Sequence, residues 1–452
     1  MKILLIEPKY EHGVVTYLDK KSPFSKIYTN PSITLPMVAA LTSGNHQIKI
    51  VNENYEDLQI DEEFDLVGIS VLTMTAPRAY ELADLFRRRG TKVVLGGYHV
   101  SALPDEAIQH ADAIIIGEAE DTWPQLIKDA EKGRLKRIYR SRRPSLTNLP
   151  WPRRDLYYNF IAGAVQATRG CPVGCKFCPT SWLLGRRLRK RPIDEVIEEI
   201  KSIPNRVIIF RDASLTIDVD YSKSLFRAMK GLGKKWIANG NINVLGRDEE
   251  FLRLAKEAGC IQWFIGLESL SKETLKRIHK TTNVNVIEKY GEYIEKIHKY
   301  GMAVFAGLIF GFDEDTPDVF ETTYKALEEW RVDAAEFNIL TPYPGTKIYD
   351  DFEKEGRILT KDWSKYTQAH VVFKPKNMSP DDLMEGYTWI TKKFYSFHNS
   401  LKRCLYHLGY SLKWELSPVS TLSVAATNFG FRRYYARERK RIQLERKKRV
   451  AT

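Results

Sequence analysis

Cysteine is scarce in this chain. There are five in 452 residues, three crowded between Cys171 and Cys178 and two, Cys260 and Cys404, alone. A secreted disulfide framework would scatter cysteines in pairs, so that class is set aside and a reducing, cytoplasmic setting is expected. Long apolar runs are missing as well. Nothing approaches the roughly 18 to 20 consecutive apolar residues of a membrane span. The opening apolar run stops at Glu7 and reads as a first strand rather than a signal peptide. No internal repeat of fixed period is evident, which argues against a repeat array. Acidic residues run short only at one end. The formal charge is +13, and from Phe431 onward ten Lys/Arg face two Asp/Glu, so the excess basicity belongs mostly to the tail.

At this length two or three domains are expected. The first region alternates strands and helices: MKILLIEP, Ile48 to Asn54, Leu66 to Val71, KVVLGG and AIIIGEAE are strands. A helix over about Pro77 to Arg89 puts Ala79, Leu82, Ala83 and Phe86 on one face. That pattern predicts an α/β fold with a doubly wound parallel sheet, whose ligands bind at the carboxyl ends of the strands. Those ends are Pro8-Lys9, Ser70 to Thr75, Gly96 to His99 and Gly117 to Glu120. A basic, Pro-punctuated stretch follows and reads as a linker. The second region repeats strand and helix about six times, beginning with the strand AVQATRG. One of its helices opens at Thr316-Pro317-Asp318, with Pro at the first helical position. The third region is mainly helical and ends in the basic tail. The expected domains are residues 1–140, a linker 141–161, 162–348 and 349–452.

The densest chemistry is TRGCPVGCKFCP, three thiols at C-x3-C-x2-C directly after a strand. Thiolate is the soft ligand that iron–sulfur irons prefer, and three cysteines on one loop hold three irons of a [4Fe–4S] cubane. The fourth iron is then open. It can bind the amino and carboxylate groups of S-adenosylmethionine (SAM) and pass one electron into the sulfonium, cleaving it to a 5′-deoxyadenosyl radical. Zinc is the competing reading, but a structural zinc normally wants four ligands, and neither Cys260 nor Cys404 is local.

C-x3-C-x2-C after the first strand of a (β/α)6 partial TIM barrel resembles the radical SAM superfamily, over about Ala162 to Ile348. The resemblance implies a [4Fe–4S] cluster on Cys171, Cys175 and Cys178. GLIFGFDE is similar to the family's fifth strand, which lies against the adenine, and this points to Gly307 and Gly311. FIGLES places Gly266, Glu268 and Ser269 at the end of the fourth strand, where the family binds the methionyl and ribose parts of SAM. Asp212 in FRDAS stands where relatives often carry an acidic pair; here there is one acid. NILTPYPGT, Asn338 to Thr346, resembles the sixth-strand turn that closes the SAM pocket and adds Asn338 and Pro342. Close packing in strands would account for the glycines nearly as well.

The order of doubly wound domain, Pro-rich linker and radical SAM barrel resembles the cobalamin-binding radical SAM enzymes. GGYHVSALPDEAIQHADAIIIGEAEDTWPQL and GRRLRKRP are similar to stretches of that family. The resemblance implies a Rossmann-like, cobalamin-binding N-terminal domain with Ser70, Thr73, Gly96, Gly97, His99, Gly117 and Glu118 at the corrin. Strand-end glycines let a flat ring approach the backbone, and Ser70, Thr73 and Thr75 line a pocket for its nucleotide tail. D-x-H-x-x-G is absent, so no histidine need replace the lower cobalt ligand. His12 and His99 stand at strand ends, where a lone His is more often a packing residue. The methylthiotransferases carry three further cysteines in this domain; residues 1–170 have none. Cys260 and Cys404 are too few for an auxiliary cluster and read as buried thiols.

Asp362 to Ser396 resembles the segment after the barrel in the branch that includes the hopanoid-lipid methylases. As a substrate cap it would bring His370, Phe373 and Tyr387 to the barrel mouth; a structural role serves them equally. The implied enzyme cleaves SAM reductively and is a cobalamin-dependent C-methyltransferase acting on an unactivated carbon. One SAM methylates cob(I)alamin, and a second supplies the radical that removes hydrogen from the acceptor carbon. The rival within enzymes is a non-methylating cyclase, C–C coupling or rearrangement enzyme. The rival of another class is an RNA-binding or RNA-modifying protein that uses the basic tail, and the lack of a recognisable RNA-binding module counts against nucleic acid. The implied partners are a small-molecule substrate, lipids included, and an electron donor such as flavodoxin or ferredoxin. The tail offers a peripheral contact with anionic lipid headgroups, a grip on RNA phosphates, or a solvated helix that binds nothing.

Overall fold

Ile3–Ile6 are four aliphatic residues in a row, and all four are buried. A strand covered on both faces has no polar side to alternate with, which is the signature of a parallel sheet between helices. In the computed structural model, which describes residues 1–10, 31–157, 160–413 and 418–451 with side chains through Ile442, that strand is β1 (Lys2–Glu7). His12 lies outside the described residues. The chain divides into two compact units, Met1–Ile203 with Pro342–Thr367, and Pro204–Thr341 with Gln368–Thr452.

In the first unit β1 is joined by β2 (Gln47–Asn52), β3 (Leu66–Ser70), β4 (Lys92–Gly96), β5 (Ala113–Ile116) and β6 (Ile138–Arg140) in the parallel order β2-β1-β3-β4-β5-β6. The order reverses between β1 and β3, and ligand crevices of such sheets open at that point, beyond the carboxyl ends. Helix α1 (Ala76–Arg88) follows β3 and buries Ala79, Leu82, Ala83 and Phe86. The Pro-punctuated stretch after β6 is not slack: Tyr157 Oη donates to Glu7 Oε2 at 2.7 Å, and Arg154 donates to the Ala164 carbonyl at 2.6 Å.

The expected strand AVQATRG is two shorter pieces. β7 (Ala162–Val165) stops before Gln166, and β8 (Thr168–Arg169) pairs antiparallel with β9 (Arg189–Lys190). The ladder cannot continue, because Gly170 turns the chain at φ +96°, where a Cβ would lie 2.2 Å from the Arg187 carbonyl oxygen. Helix α2 (Pro179–Leu184) follows the cysteine loop.

The second unit holds the parallel strands β10 (Val207–Phe210), β11 (Lys235–Gly240), β12 (Cys260–Glu268), β13 (Ala303–Phe310) and β14 (Ala334–Ile339), in the order β14-β13-β12-β11-β10. Toward their carboxyl ends burial alternates: one set of side chains is buried, while Asn239, Glu268, Glu336 and Asn338 are half-buried. The helix expected to open at Thr316 begins at Val319 with Asp318 as its N-cap; Thr316 donates instead to Asp318.

Helices α3 (Pro380–Phe394), α4 (Phe397–Lys413) and α5 (Pro418–Ala451) close this unit. α3 starts on a capping box in which Ser379 and Asp382 satisfy each other's backbone amides. The three helices and the segment before them serve the outer edge of β14. Asn428 donates to the Asp333 carbonyl at 2.7 Å, Tyr395 brackets Ala335, Tyr435 brackets Phe337, and the Ile339 amide reaches the Gln368 carbonyl at 2.7 Å. An open sheet edge is thereby satisfied without another strand. The stretch Arg432 to Ile442 is not a loose basic tail, since Tyr434, Tyr435, Glu438 and Ile442 are buried. Among the described residues no helix is long and apolar enough to cross a membrane.

Candidate active site

Cys171, Cys175 and Cys178 lie half-buried on one loop between β8 and α2. The loop is held by its backbone. Cys171 N donates to the Gly185 carbonyl at 3.0 Å, Ser181 Oγ to the Cys171 carbonyl at 2.9 Å, and Cys178 N to the Cys175 carbonyl at 3.0 Å. Among the described residues no three His, Cys, Asp or Glu side chains stand together as a metal group. The fit to an iron–sulfur cluster therefore rests on the donor set, three soft thiols on an anchored eight-residue loop. Of the two remaining cysteines, Cys260 is buried and burial raises its thiol pKa, whereas Cys404 is only half-buried.

Directly before that loop stands Arg169, which burial alone would push toward neutrality but which Glu120 and Glu118 hold charged. Its guanidinium reaches Glu118 Oε2 at 2.8 Å and Glu120 Oε1 at 2.5 Å; Arg189, its partner across the β8–β9 ribbon, takes Glu118 Oε1 at 2.5 Å. Glu118, expected at the corrin, thus has both carboxylate oxygens engaged by the strands flanking the cysteine loop. Tyr98, which follows the Gly96-Gly97 pair, makes a second tie. Its hydroxyl donates to the Pro344 carbonyl at 2.5 Å, and its ring meets Trp182 of α2 edge-on at 5.7 Å and Tyr343 at 6.2 Å. Burial, with Tyr343 and Cys178 nearby, raises its pKa.

The turns at the strand ends of the first unit are held by close packing and hydrogen bonds. Ser70 and Gly96 are register partners. Gly97 sits at φ +103°, and a Cβ there would stand 2.8 Å from the Val71 carbonyl oxygen, so no side chain fits without moving β3. Ser101 Oγ donates to the Gly97 carbonyl at 2.8 Å and accepts from the Gly117 amide at 2.9 Å. Thr75 is spent on its own turn, with its hydroxyl bonded to Leu72 N and O. Thr73 Oγ1 and His99 Nδ1, by contrast, are buried without a hydrogen-bond partner among the described residues. Orphaned buried polar atoms are costly unless a ligand meets them. Both follow strand ends of a sheet whose ligands bind there, and as unmet polar atoms they fit a ligand rich in amides and hydroxyls such as cobalamin. His99 is oriented through its other nitrogen. Glu106 takes His99 Nε2 at 3.1 Å, Tyr80 Oη at 2.9 Å and Trp363 Nε1 at 3.1 Å. Burial would raise the Glu106 pKa, but these three bonds hold it below the ordinary value.

In the second unit lie all the expected SAM residues but Pro342, on or just beyond strands β10, β12, β13 and β14. Glu268 ends β12 at φ +67°, an uncommon conformation for a residue with a side chain, next to a register shift between Gly266 and Glu268. Its carboxylate folds back over Gly266, where a Cβ would meet it at 2.2 Å, and pairs with Lys280 Nζ at 3.0 Å. Asn283 donates to the Gly266 carbonyl at 3.1 Å. Gly266, Gly307 and Glu336 are consecutive register partners across β12, β13 and β14, and burial with the nearby Glu268 pushes the Glu336 carboxyl up to about 7. Asp212 is buried at the end of β10, with its carbonyl accepting from Asn239 Nδ2 at 2.9 Å. Ser269 Oγ accepts from the Ser271 amide at 3.1 Å, which gives it a turn to hold. Gly311 (φ +100°) leaves room for Phe373 and Leu383, and its amide donates to Asp315, whose carboxyl burial raises to about 7. Asn338 is half-buried on β14, and Pro342 opens the returning segment of the first unit. His370, Phe373 and Tyr387 are buried; His370 meets Arg441 at 3.1 Å and Tyr387 packs on Tyr435. Lys280, Asn283 and Glu336 neighbour the expected SAM residues and are passed over by the sequence motifs. The alternation of AAEFNIL, which puts Glu336 on one face with Asn338, is the signal that could have found the last.

Residues 165–327 match the family model of the radical SAM superfamily, residues 29–127 that of the B12 binding domain, and residues 346–442 a domain of unknown function (DUF4070). A bacteriochlorophyllide d C-12(1)-methyltransferase of Chlorobaculum tepidum is 31% identical over 417 residues, covering 87% of this chain and 89% of its own. The chain belongs to the cobalamin-dependent radical SAM methyltransferases. As a member of that family it is an enzyme of [4Fe–4S] cluster, SAM and cobalamin. The hopanoid C-2 methylase of Rhodopseudomonas palustris is 25% identical, over 94% of this chain and 83% of its own. The cobalamin- and [4Fe–4S]-bound structure of the radical SAM methyltransferase TsrM from Kitasatospora setae shares the fold, at a TM-score of 0.63 and 16% identity over 78% of each chain. The cobalamin-dependent radical enzyme OxsB does so at 0.64 and 14% identity, covering 99% of this chain and 81% of its own.

Proposed function

We propose that this enzyme methylates an unactivated carbon of an apolar, polycyclic small molecule and draws its electrons from a flavodoxin- or ferredoxin-type donor. The observation that carries the reading is the first unit itself, in which the cysteine loop and the carboxyl ends of the B12-type sheet are tied together by Arg169, Glu118 and Tyr98. The substrate class rests on the relatives, one named for bacteriochlorophyllide d and one for hopanoids, both polycyclic molecules with large hydrocarbon surfaces. When bound, the cluster supplies the electron that cleaves SAM, and cobalamin carries the methyl group. Cys171, Cys175 and Cys178 hold the cluster. Glu268, Asp212, Asn338 and Pro342, with the backbone at Gly266, Ser269, Gly307 and Gly311, receive SAM. Ser70, Thr73 and His99, with the glycine turns at Gly96-Gly97 and Gly117, receive cobalamin. Tyr98, buried against Trp182 and Tyr343, keeps water from its side of the cysteine loop.

The test is anaerobic reconstitution with iron, sulfide and cobalamin. About four irons per chain, lost in Cys175→Ala, and retained corrin absorbance are expected, with both S-adenosylhomocysteine and 5′-deoxyadenosine formed in the presence of substrate. A second reading has one observation in its favour: an anaerobic magnesium-protoporphyrin IX monomethyl ester cyclase of Rubrivivax gelatinosus is 23% identical over 85% of this chain. If 5′-deoxyadenosine forms with substrate consumed and no S-adenosylhomocysteine, methyl transfer is wrong and a cyclisation or coupling takes its place.

A further inference from the structure

α4 turns two opposite faces to its surroundings. Ser400, Arg403 and His407 are buried in the unit. On the other side Phe397, Leu401, Leu405, Leu408 and Leu412 recur at intervals of four, four, three and four, which places them on one stripe of a helix. That stripe is bare, with Phe397 59%, Leu405 58% and Leu412 77% exposed. It continues onto α5, where Phe429 meets the Phe397 ring at 6.2 Å and Leu422 is 68% exposed. A soluble surface scatters its exposed leucines singly, and a contiguous stripe of this length marks something it meets.

The charges around the stripe say what that is. From Phe397 to the end there are thirteen Lys/Arg and three Asp/Glu, a net of +10 out of +13 for the chain. Arg432 stands over the Phe397 ring at 5.6 Å, at the edge of the apolar face, and Arg433 and Lys440 are exposed further along α5. A heptad-like seam would also suit a helix from a second copy, but two copies would bring +10 against +10, with almost no acid to pair. An anionic bilayer offers both an apolar boundary for the leucines and negative headgroups for the cations. We infer that the α4–α5 hairpin lays the Leu401–Leu412 stripe into the interface of an anionic membrane, with the α5 cations on the headgroups. The inference deepens the proposed apolar substrate, because a membrane is where such a molecule would be met.

The experiment is co-sedimentation of full-length, cluster-loaded protein with vesicles of phosphatidylcholine, with and without phosphatidylglycerol, using a Leu405→Gln, Leu412→Gln double variant. Binding to the phosphatidylglycerol vesicles is expected, weakening with salt. The double variant should bind about tenfold more weakly or worse, since each leucine gives up apolar burial, while its melting temperature and 5′-deoxyadenosine formation from SAM stay unchanged. A Leu408→Trp reporter should shift its fluorescence to the blue on the same vesicles. No vesicle binding, or binding that ignores both leucines, overturns the inference. So does a dimer by light scattering that the double variant dissolves while vesicles are ignored, which would give the face to a second copy. Absence of SAM cleavage by the unaltered protein would instead count against the enzyme reading and leave the vesicle result standing.

Discussion

Tyr435 and Phe337 exchange both of their available hydrogen bonds: the Phe337 amide donates to the tyrosine hydroxyl at 3.1 Å, and the hydroxyl donates to the Phe337 carbonyl at 3.4 Å. Ninety-eight residues separate them in the chain. A side chain from the basic C-terminal helix thus stands where a neighbouring strand would be, and Tyr395 repeats the device two residues earlier at Ala335.

Tyr435→Phe strips that cover and leaves a buried amide and carbonyl unpaired, at about 1–3 kcal/mol. The melting temperature should fall and the Phe337 amide should exchange faster with deuterium, with neighbouring β13 amides spared. Ending the chain after Ile442 should leave the melting temperature near that of the full chain, whereas ending it after Arg432 should not give stable protein.

Glu118→Ala takes the carboxylate away from Arg189, which keeps only the Pro144 and Leu184 carbonyls, and from one arm of the buried Arg169, a change of about 3 kcal/mol. The apparent melting temperature should drop. Because both arginines flank the cysteine loop, a thiol reagent should label Cys171 faster in the metal-free variant than in the metal-free parent.

Gly97→Ala asks an L residue to hold φ +103° with a Cβ 2.8 Å from the Val71 carbonyl, at about 2 kcal/mol. Corrin absorbance retained after desalting should fall with it. Gly90→Ala, at φ +85° with open space around it, is the control; it should cost about 1 kcal/mol and keep its corrin.

Glu336 has a folded-state pKa of about 7 against an ordinary 4.5. The folded chain therefore holds this proton more tightly than the unfolded one, so stability is whole below about pH 4.5 and is lost as pH rises toward and through 7. Glu336→Gln should melt like the parent at pH 5 and higher than the parent at pH 8. Equal melting at both values would show that the carboxyl is not strained.

Much of this was legible without coordinates because it is local. Three thiols within eight residues, the apolar strand MKILLIEP and the 3.6-residue stripe Ala79, Leu82, Ala83, Phe86 carry their meaning in adjacent positions and point to an iron–sulfur loop and a doubly wound α/β domain; the B12-type reading of that domain comes from the family resemblance. Local reading went astray where one backbone requirement overrode a pattern. AVQATRG looks like a continuous strand, yet it breaks after Val165 and turns at Gly170. Thr316-Pro317 looks like a helix start, yet the helix waits for Val319.

The partners of the functional side chains were another matter. Glu118 sits in a strand-end motif that suggests a corrin contact, and only the fold brings Arg169 and Arg189 to it from 51 and 71 residues away. Lys280 beside Glu268, Glu336 in line with Gly266 and Gly307, and Tyr395 and Tyr435 on the edge of β14 are likewise products of register and packing. Composition and spacing determine which elements form and which chemistry the chain can carry. Which charges meet, which polar atoms are left for a ligand and which leucines stay bare depend on distances across the chain, and those exist only once it has folded.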